Sequence, residues 1–155
     1  MKGGKQMKIT LEQAQNSELE IIIRGNIADP NITKLIEAIN GAERSDVLML
    51  CKDEREYPTH AKEISRIESL DGKTIAFVQN NMFEVKFKLY QLAQMLSGNG
   101  FVQISKSCLV NIEHIEAVEA EFSGNYVAFL KDKKTRLTIS RKYMKAFREY
   151  IMEGK

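Results

Sequence analysis

From Lys52 to Ile139 short apolar runs follow one another with a turn signal between them, at Lys52-Asp53-Glu54, Leu70-Asp71-Gly72-Lys73, Asn80-Asn81, Ser123-Gly124-Asn125 and Lys131 to Lys134. Punctuation this dense leaves no room for long helices and predicts a mainly β fold with short helices. Ile64 to Ser69 reads as a strand with Ile64 and Ile67 inward. Thr74 to Gln79 and the alternating Phe83, Val85 and Phe87 read as a hairpin turning at Asn80-Asn81, since Asn tolerates positive φ. Leu89, Leu92, Ala93 and Leu96 have helical spacing, with Gly98 just past the end as a C′ residue. Ile115 and Val118 begin a further strand, and others run over Tyr126 to Leu130 and Thr135 to Ile139. Ser140 is expected to cap a final helix that buries Tyr143, Met144, Phe147, Tyr150 and Ile151.

Ahead of this region the pattern differs. Lys8 to Leu11 and Leu19 to Arg24 read as strands, and Asp29-Pro30 as a helix start with Asp as N-cap and Pro at the first helical position. Ile32, Leu35, Ile36 and Ile39 then share one helical face, and Gly41 is the expected stop. Val47 to Cys51 could close this unit or open the next. The division expected is a small α+β N-terminal unit over residues 1–46, a candidate dimerisation element, followed by a domain over 47–155.

Within the β region, Phe101 to Asn111 holds the clearest functional signal. Phe101, Ile104, Leu109, Val110 and Ile112 can anchor a buried segment, but Ser105, Lys106 and Ser107 form a polar island that cannot enter a core unpaired. An anchored, exposed loop bearing a Lys and two hydroxyls is a donor set for phosphate oxygens or base edges. A plain structural turn accounts for the same residues, and the residues alone leave both readings open. Asp71 to Thr74 and Ser140 to Lys142 repeat the pairing of a cation with a hydroxyl after an apolar strand. Charge adds to this: residues 1–60 and 61–121 each carry a net −2, whereas residues 122–155 carry +6. A local excess of that kind suits a polyanion, although it also describes a solvated face. No RRM-type aromatic signature is present, so duplex DNA is the expected ligand rather than RNA.

Other chemistry finds little support. There is no Gly-rich phosphate loop, nucleophile elbow or metal-binding His pair, so no catalytic, cofactor or metal site and no small-molecule substrate is expected. Cys51 and Cys108 sit among apolar neighbours and read as buried, reduced thiols. Glu113, Glu116, Glu119 and Glu121 read as a solvated strand edge, where charge discourages edge pairing. No apolar run approaches the roughly 20 residues that span a bilayer, and no signal-peptide core follows Met1 to Lys8, so no membrane association and a cytoplasmic location are expected. Asn31-Ile32-Thr33 matches a glycosylation sequon, read as a coincidence in a chain without a secretion signal.

The ordered landmarks Ile67-Glu68-Ser69 before a Gly turn, the hairpin, the Leu89 to Leu96 helix, Phe-x-x-Ile-Ser-Lys-Ser-x-Leu-Val-Asn and Ile-Ser-Arg-Lys-Tyr resemble the LytTR DNA-binding domain of bacterial transcription regulators over about Val47 to Ile151. The resemblance implies an elongated β-β-β fold whose loops enter successive grooves on one face of double-stranded DNA. It places DNA-facing positions on Lys73 or Thr74, on Lys106 with Ser107, and on Arg141, to which Lys142 is added from its position alone. Many members have His-Arg-Ser or His-Asn-Ser where this chain has Ser105-Lys106-Ser107. Asn111 belongs to the motif but is expected to bond neighbouring backbone. Most response regulators of this kind carry a receiver ahead of the domain, and about 46 residues are too few for one. The reading is a sequence-specific DNA-binding transcription regulator without enzymatic activity, acting as a homodimer. Its rival is a protein-interaction module with a solvated basic C-terminal face.

Overall fold

The structure, a computed structural model, describes residues 7–13, 15, 20–44 and 46–153. Helix α1 (Asn31–Arg44) comes first, and strands β1 (Val47–Lys52), β2 (Arg55–His60), β3 (Arg66–Leu70), β4 (Lys73–Val78) and β5 (Asn81–Val85) follow. Helix α2 (Leu89–Met95) leads into β6 (Phe101–Ser105), β7 (Cys108–Asn111), β8 (Ile115–Ala120), β9 (Tyr126–Leu130), β10 (Arg136–Ile139) and helix α3 (Arg141–Glu153). One sheet has the order β2-β1-β5-β4-β3-β7-β6 and the other β10-β9-β8, with every pair antiparallel. The β1–β2 hairpin joins the large sheet through the single register pair Cys51 and Glu84. The β body is therefore two sheets, with the β1–β2 hairpin at one edge of the larger.

Two apolar cores lie on opposite faces of the large sheet. On one face, α2 places Leu89, Leu92 and Leu96 against Leu48, Leu50, Ile67, Ala76, Val85, Phe101 and Leu109. On the other, the β6–β7 end contributes Val102, Ile104, Cys108 and Val110 to a core closed by Ala128, Leu130 and Ile139 of the small sheet and by Met144 and Phe147 of α3. Strand alternation sends Leu109 to one core and Cys108 and Val110 to the other, which is why this hairpin is apolar on both sides. The segment around the polar island thus ties both cores together.

Several expected elements differ from those observed. Residues 8–11 are exposed and form no strand, and neither do residues 20–24; Leu19 lies outside the described residues. Apolar composition alone does not hold a strand, which needs a ladder partner for its backbone groups. Asp29 does cap α1, its Oδ1 accepting from the Asn31 amide at 2.9 Å, but the helix runs through Gly41 to Arg44. A helical Gly costs only about 1 kcal/mol, which the helix-forming Ala42, Glu43 and Arg44 can absorb. Arg55–His60 forms a strand without a sequence signal, because it lies at the sheet edge, contains Pro58 and has little apolar alternation.

Asp53 and Glu54, at φ 51° and 64°, and Asp71 and Gly72, at 50° and 80°, form two-residue hairpin loops at the expected positions. The β4–β5 turn instead sits one residue early, on Gln79-Asn80, with Val78 opposite Asn81. That register puts Ala76 and Val85 in the core and leaves Ile75 and Phe77 half-buried on the other face. The left-handed glycine after α2 is Gly100, at φ 89°, rather than Gly98. Ile151 of α3 is exposed rather than buried.

Candidate nucleic-acid interface

The β6–β7 hairpin turns through Lys106 and Ser107, both exposed, between Ile104 and Cys108, both buried. The Ser107 amide donates to Ser105 Oγ at 3.3 Å, and the Gln103 side-chain amide donates to the Ser105 carbonyl at 2.9 Å. The loop's own polar groups are therefore partly satisfied within it, and Lys106 is held at its tip.

Backbone hydrogen bonds join this loop to the other two. The Ser69 amide donates to the Ser107 carbonyl at 2.8 Å, which fastens the end of β3, and with it the turn carrying Lys73, beside Ser107. On the opposite flank the Ser140 amide donates to the Ile104 carbonyl at 2.9 Å, so Arg141 and Lys142 begin α3 next to the same hairpin. Lys73, Lys106, Ser107, Arg141 and Lys142 thus lie on three adjoining loops, all exposed. Among the described residues none of the four cations forms an ion pair, so each is free to meet a phosphate or a base edge. Loops held by buried strands lose less conformational entropy on binding than free ones.

Thr74 does not belong to this set. It is 7% exposed, on the face of β4 that carries Ala76 and opposite Val85. Strand alternation decides this: with Lys73 outward at the turn, Thr74 must face the core.

The start of α3 carries a contact that sequence reading missed. Its first amide, on Arg141, donates to Asn125 Oδ1 at 3.0 Å, while the Tyr143 amide bonds the Ser140 carbonyl at 2.8 Å. The only sequence signal was the turn composition Ser123-Gly124-Asn125, which says nothing about a partner sixteen residues away.

The remaining candidates resolve into structural roles. Asn111 is 1% exposed; its Nδ2 donates to the carbonyls of Ile64 at 3.0 Å and Ala61 at 3.4 Å, and its Oδ1 accepts from the Glu113 amide at 3.0 Å. It pins the β7 exit to the turn before β3 and has no free group for DNA. Cys108 is buried, and burial, aided by the Glu68 carboxylate, pushes its thiol up to about 12. A neutral thiol is no nucleophile at physiological pH. His114 Nε2 lies 2.7 Å from the Lys62 carbonyl. Among the described residues no three His, Cys, Asp or Glu side chains converge as a metal site would require, and no helix is long and apolar enough to cross a membrane.

The family model for the LytTr DNA-binding domain matches residues 54–152. Uncharacterised HTH-type transcriptional regulators of Staphylococcus aureus, from strains NCTC 8325 and COL, are each 28% identical over 146 residues, covering 94% of this chain and 98% of theirs. The fold is also similar to that of the LytTr DNA-binding domain of a Bacillus cereus protein described as a methyl-accepting/DNA response regulator, with a TM-score of 0.64 and 21% identity over 68% of this chain and 96% of that one.

Proposed function

The chain belongs to the LytTr DNA-binding domain family, and from that membership we propose that it binds double-stranded DNA sequence-specifically as a transcription regulator, its three adjoining loops reading successive grooves. The observation that carries the proposal is the pair of backbone bonds, Ser69 to Ser107 and Ser140 to Ile104, that sets three cation-bearing segments side by side. Arg141 is the base-reading residue: a guanidinium on a strand-to-helix junction can take guanine O6 and N7 bidentately. Lys106, Lys73 and Lys142 hold phosphates, and Ser107 adds a neutral donor. Recognition by a helix pair is not the mode proposed, because strands separate the helices from one another among the described residues.

Residues 47–155 are the DNA-binding part in this reading, and 1–46 the part that brings two copies together. A single domain of this size reads few base pairs, and two chains double the site. The α1 face of Ile32, Leu35, Ile36 and Ile39 supplies the apolar surface for such a pair, since none of the four is in either core.

The test is binding to duplex DNA against salt concentration, on a fragment selected from genomic DNA by the protein and on random sequence. Arg141→Ala loses discrimination by about 1 to 3 kcal/mol. Lys106→Ala weakens both complexes and lowers the salt slope by about one unit. Absence of salt-dependent DNA affinity in the unaltered protein would sink the proposal in favour of a protein-interaction module.

A further inference from the structure

The turn between β8 and β9 has no part in the reading above, yet it touches the residue on which specificity rests. It is closed by the Glu121 amide donating to the Asn125 carbonyl at 2.9 Å and the Gly124 amide donating to the Glu121 carbonyl at 3.1 Å. The Asn125 amide also donates to Ser123 Oγ at 3.3 Å, so the turn is braced from within. Gly124 has φ 94°, a left-handed conformation that other residues rarely adopt.

Two contacts run from this turn to Arg141. Asn125 Oδ1 accepts from the Arg141 backbone amide at 3.0 Å, fixing the point from which the side chain departs. A Cβ added to Gly124 would lie 3.1 Å from Arg141 Nη1, 3.3 Å from Cδ and 3.7 Å from Cζ, so the outer half of the Arg141 side chain lies against the bare glycine backbone. Arg has four rotatable side-chain bonds, and a bidentate contact is made only when the planar fork is aimed. A side chain whose backbone is fixed and whose outer half packs against a neighbour has less freedom to lose on binding. We propose that Gly124 and Asn125 are positioning residues for DNA recognition: they aim the Arg141 guanidinium at its base, and so set discrimination rather than overall affinity. This rests on Arg141 being the base-reading residue.

The experiment is a double-mutant cycle on the full chain, read as the ratio of affinities for the genomically selected duplex and a random duplex of equal length. Asn125→Ala is expected to lower that ratio about tenfold, within the coupling range of side chains in direct contact, and to leave the salt slope unchanged. In an Arg141→Ala background the same change has no further effect. Asn125→Asp keeps the acceptor oxygen and restores the ratio while its charge weakens binding to both duplexes. Gly124→Ala, whose methyl group meets the guanidinium and whose φ of 94° also strains the turn, is expected to lower the ratio as Asn125→Ala does; it carries the test with Asn125→Asp if Asn125→Ala fails to fold, because strain that acts without Arg141 shows in the Arg141→Ala background. The proposal is overturned if discrimination survives Asn125→Ala and Gly124→Ala, or if they lower it equally without Arg141. If Arg141→Ala itself leaves discrimination intact, the base-reading assignment falls and the positioning claim with it; if only the turn variants are silent, the assignment stands alone.

Discussion

A side chain's burial decides what it can do here more than its identity does. Asn111 and Lys106 belong to one motif, but only Lys106 faces solvent; Asn111 spends all its described bonds on three backbone groups. Asn111→Ala leaves the Ile64 and Ala61 carbonyls buried without that donor, and should cost about 1 to 3 kcal/mol in urea denaturation with no change in DNA discrimination. The two cysteines make a second contrast. Cys51 is half-buried and Cys108 buried, so a thiol reagent should label Cys51 in the folded protein and Cys108 only after unfolding, as mass spectrometry would show. Because burial raises the Cys108 thiol to about 12, the folded state retains a proton there that the unfolded state loses. Its contribution to stability is complete below the ordinary thiol value, near 8.5, and is lost as pH rises from there towards 12. Equal labelling of both thiols would contradict the packing of the second core. Apolar neighbours read both thiols as buried, which holds for Cys108 but not for Cys51, a half-buried residue of β1; the burial of Thr74 depended on knowing which side of β4 faces inward.

At the scale of elements, periodicity served where a face is buried and failed where a partner is needed. The α2 and α3 spacings correspond to packed helices, and the hairpin turns declared themselves through residues that tolerate positive φ. Residues 8–11 carried an apolar pattern without a partner strand, while Arg55–His60 carried almost no pattern and is a strand because β1 offers a ladder. Helix α1 lies between these cases: its stripe is regular, yet Ile36 is 45% exposed and its neighbours on that face are only partly buried. Replacing Leu35 and Ile36 together with Asp should therefore leave the thermal unfolding of the β body nearly unchanged, within about 0.5 kcal/mol per site, while abolishing association and cooperative DNA binding. Outright unfolding, or an unaltered mass by light scattering, would place this face elsewhere than in a dimer.

For the whole molecule, the +6 of residues 122–155 looked like one basic surface. The fold divides it. Lys131 to Lys134 sit at one end of β10 and Arg141 at the other, about 13 Å apart for four residues of strand. Near the first end Lys133 pairs with Glu116, and only the second adjoins Lys106. DNA binding should thus carry a salt slope well below that of nine free cations. Two copies on one DNA face need half-sites a whole helical turn apart, about 10 base pairs. Inserting about 5 base pairs between half-sites should abolish paired occupancy in a gel-shift assay, and inserting about 10 should restore it. Tight binding of one copy per site, indifferent to both insertions, would refute the dimer.

Lys73, Lys106 and Arg141 were singled out as DNA-facing by the family resemblance; fold class, most turn positions and the apolar stretches that frame the polar island were legible in the residues themselves. Each rests on local chemistry: side-chain periodicity, residues that permit positive φ, and polar groups that cannot be buried unpaired. What the tertiary structure alone decided is contact between segments distant in the chain. The bonds from Ser69 to Ser107, Ser140 to Ile104 and Arg141 to Asn125 each join a residue to one far from it in sequence, and none leaves a periodic trace: a backbone amide or carbonyl is the same in every residue that offers it, and the one side-chain partner, Asn125 Oδ1, sits in a turn whose composition names no donor.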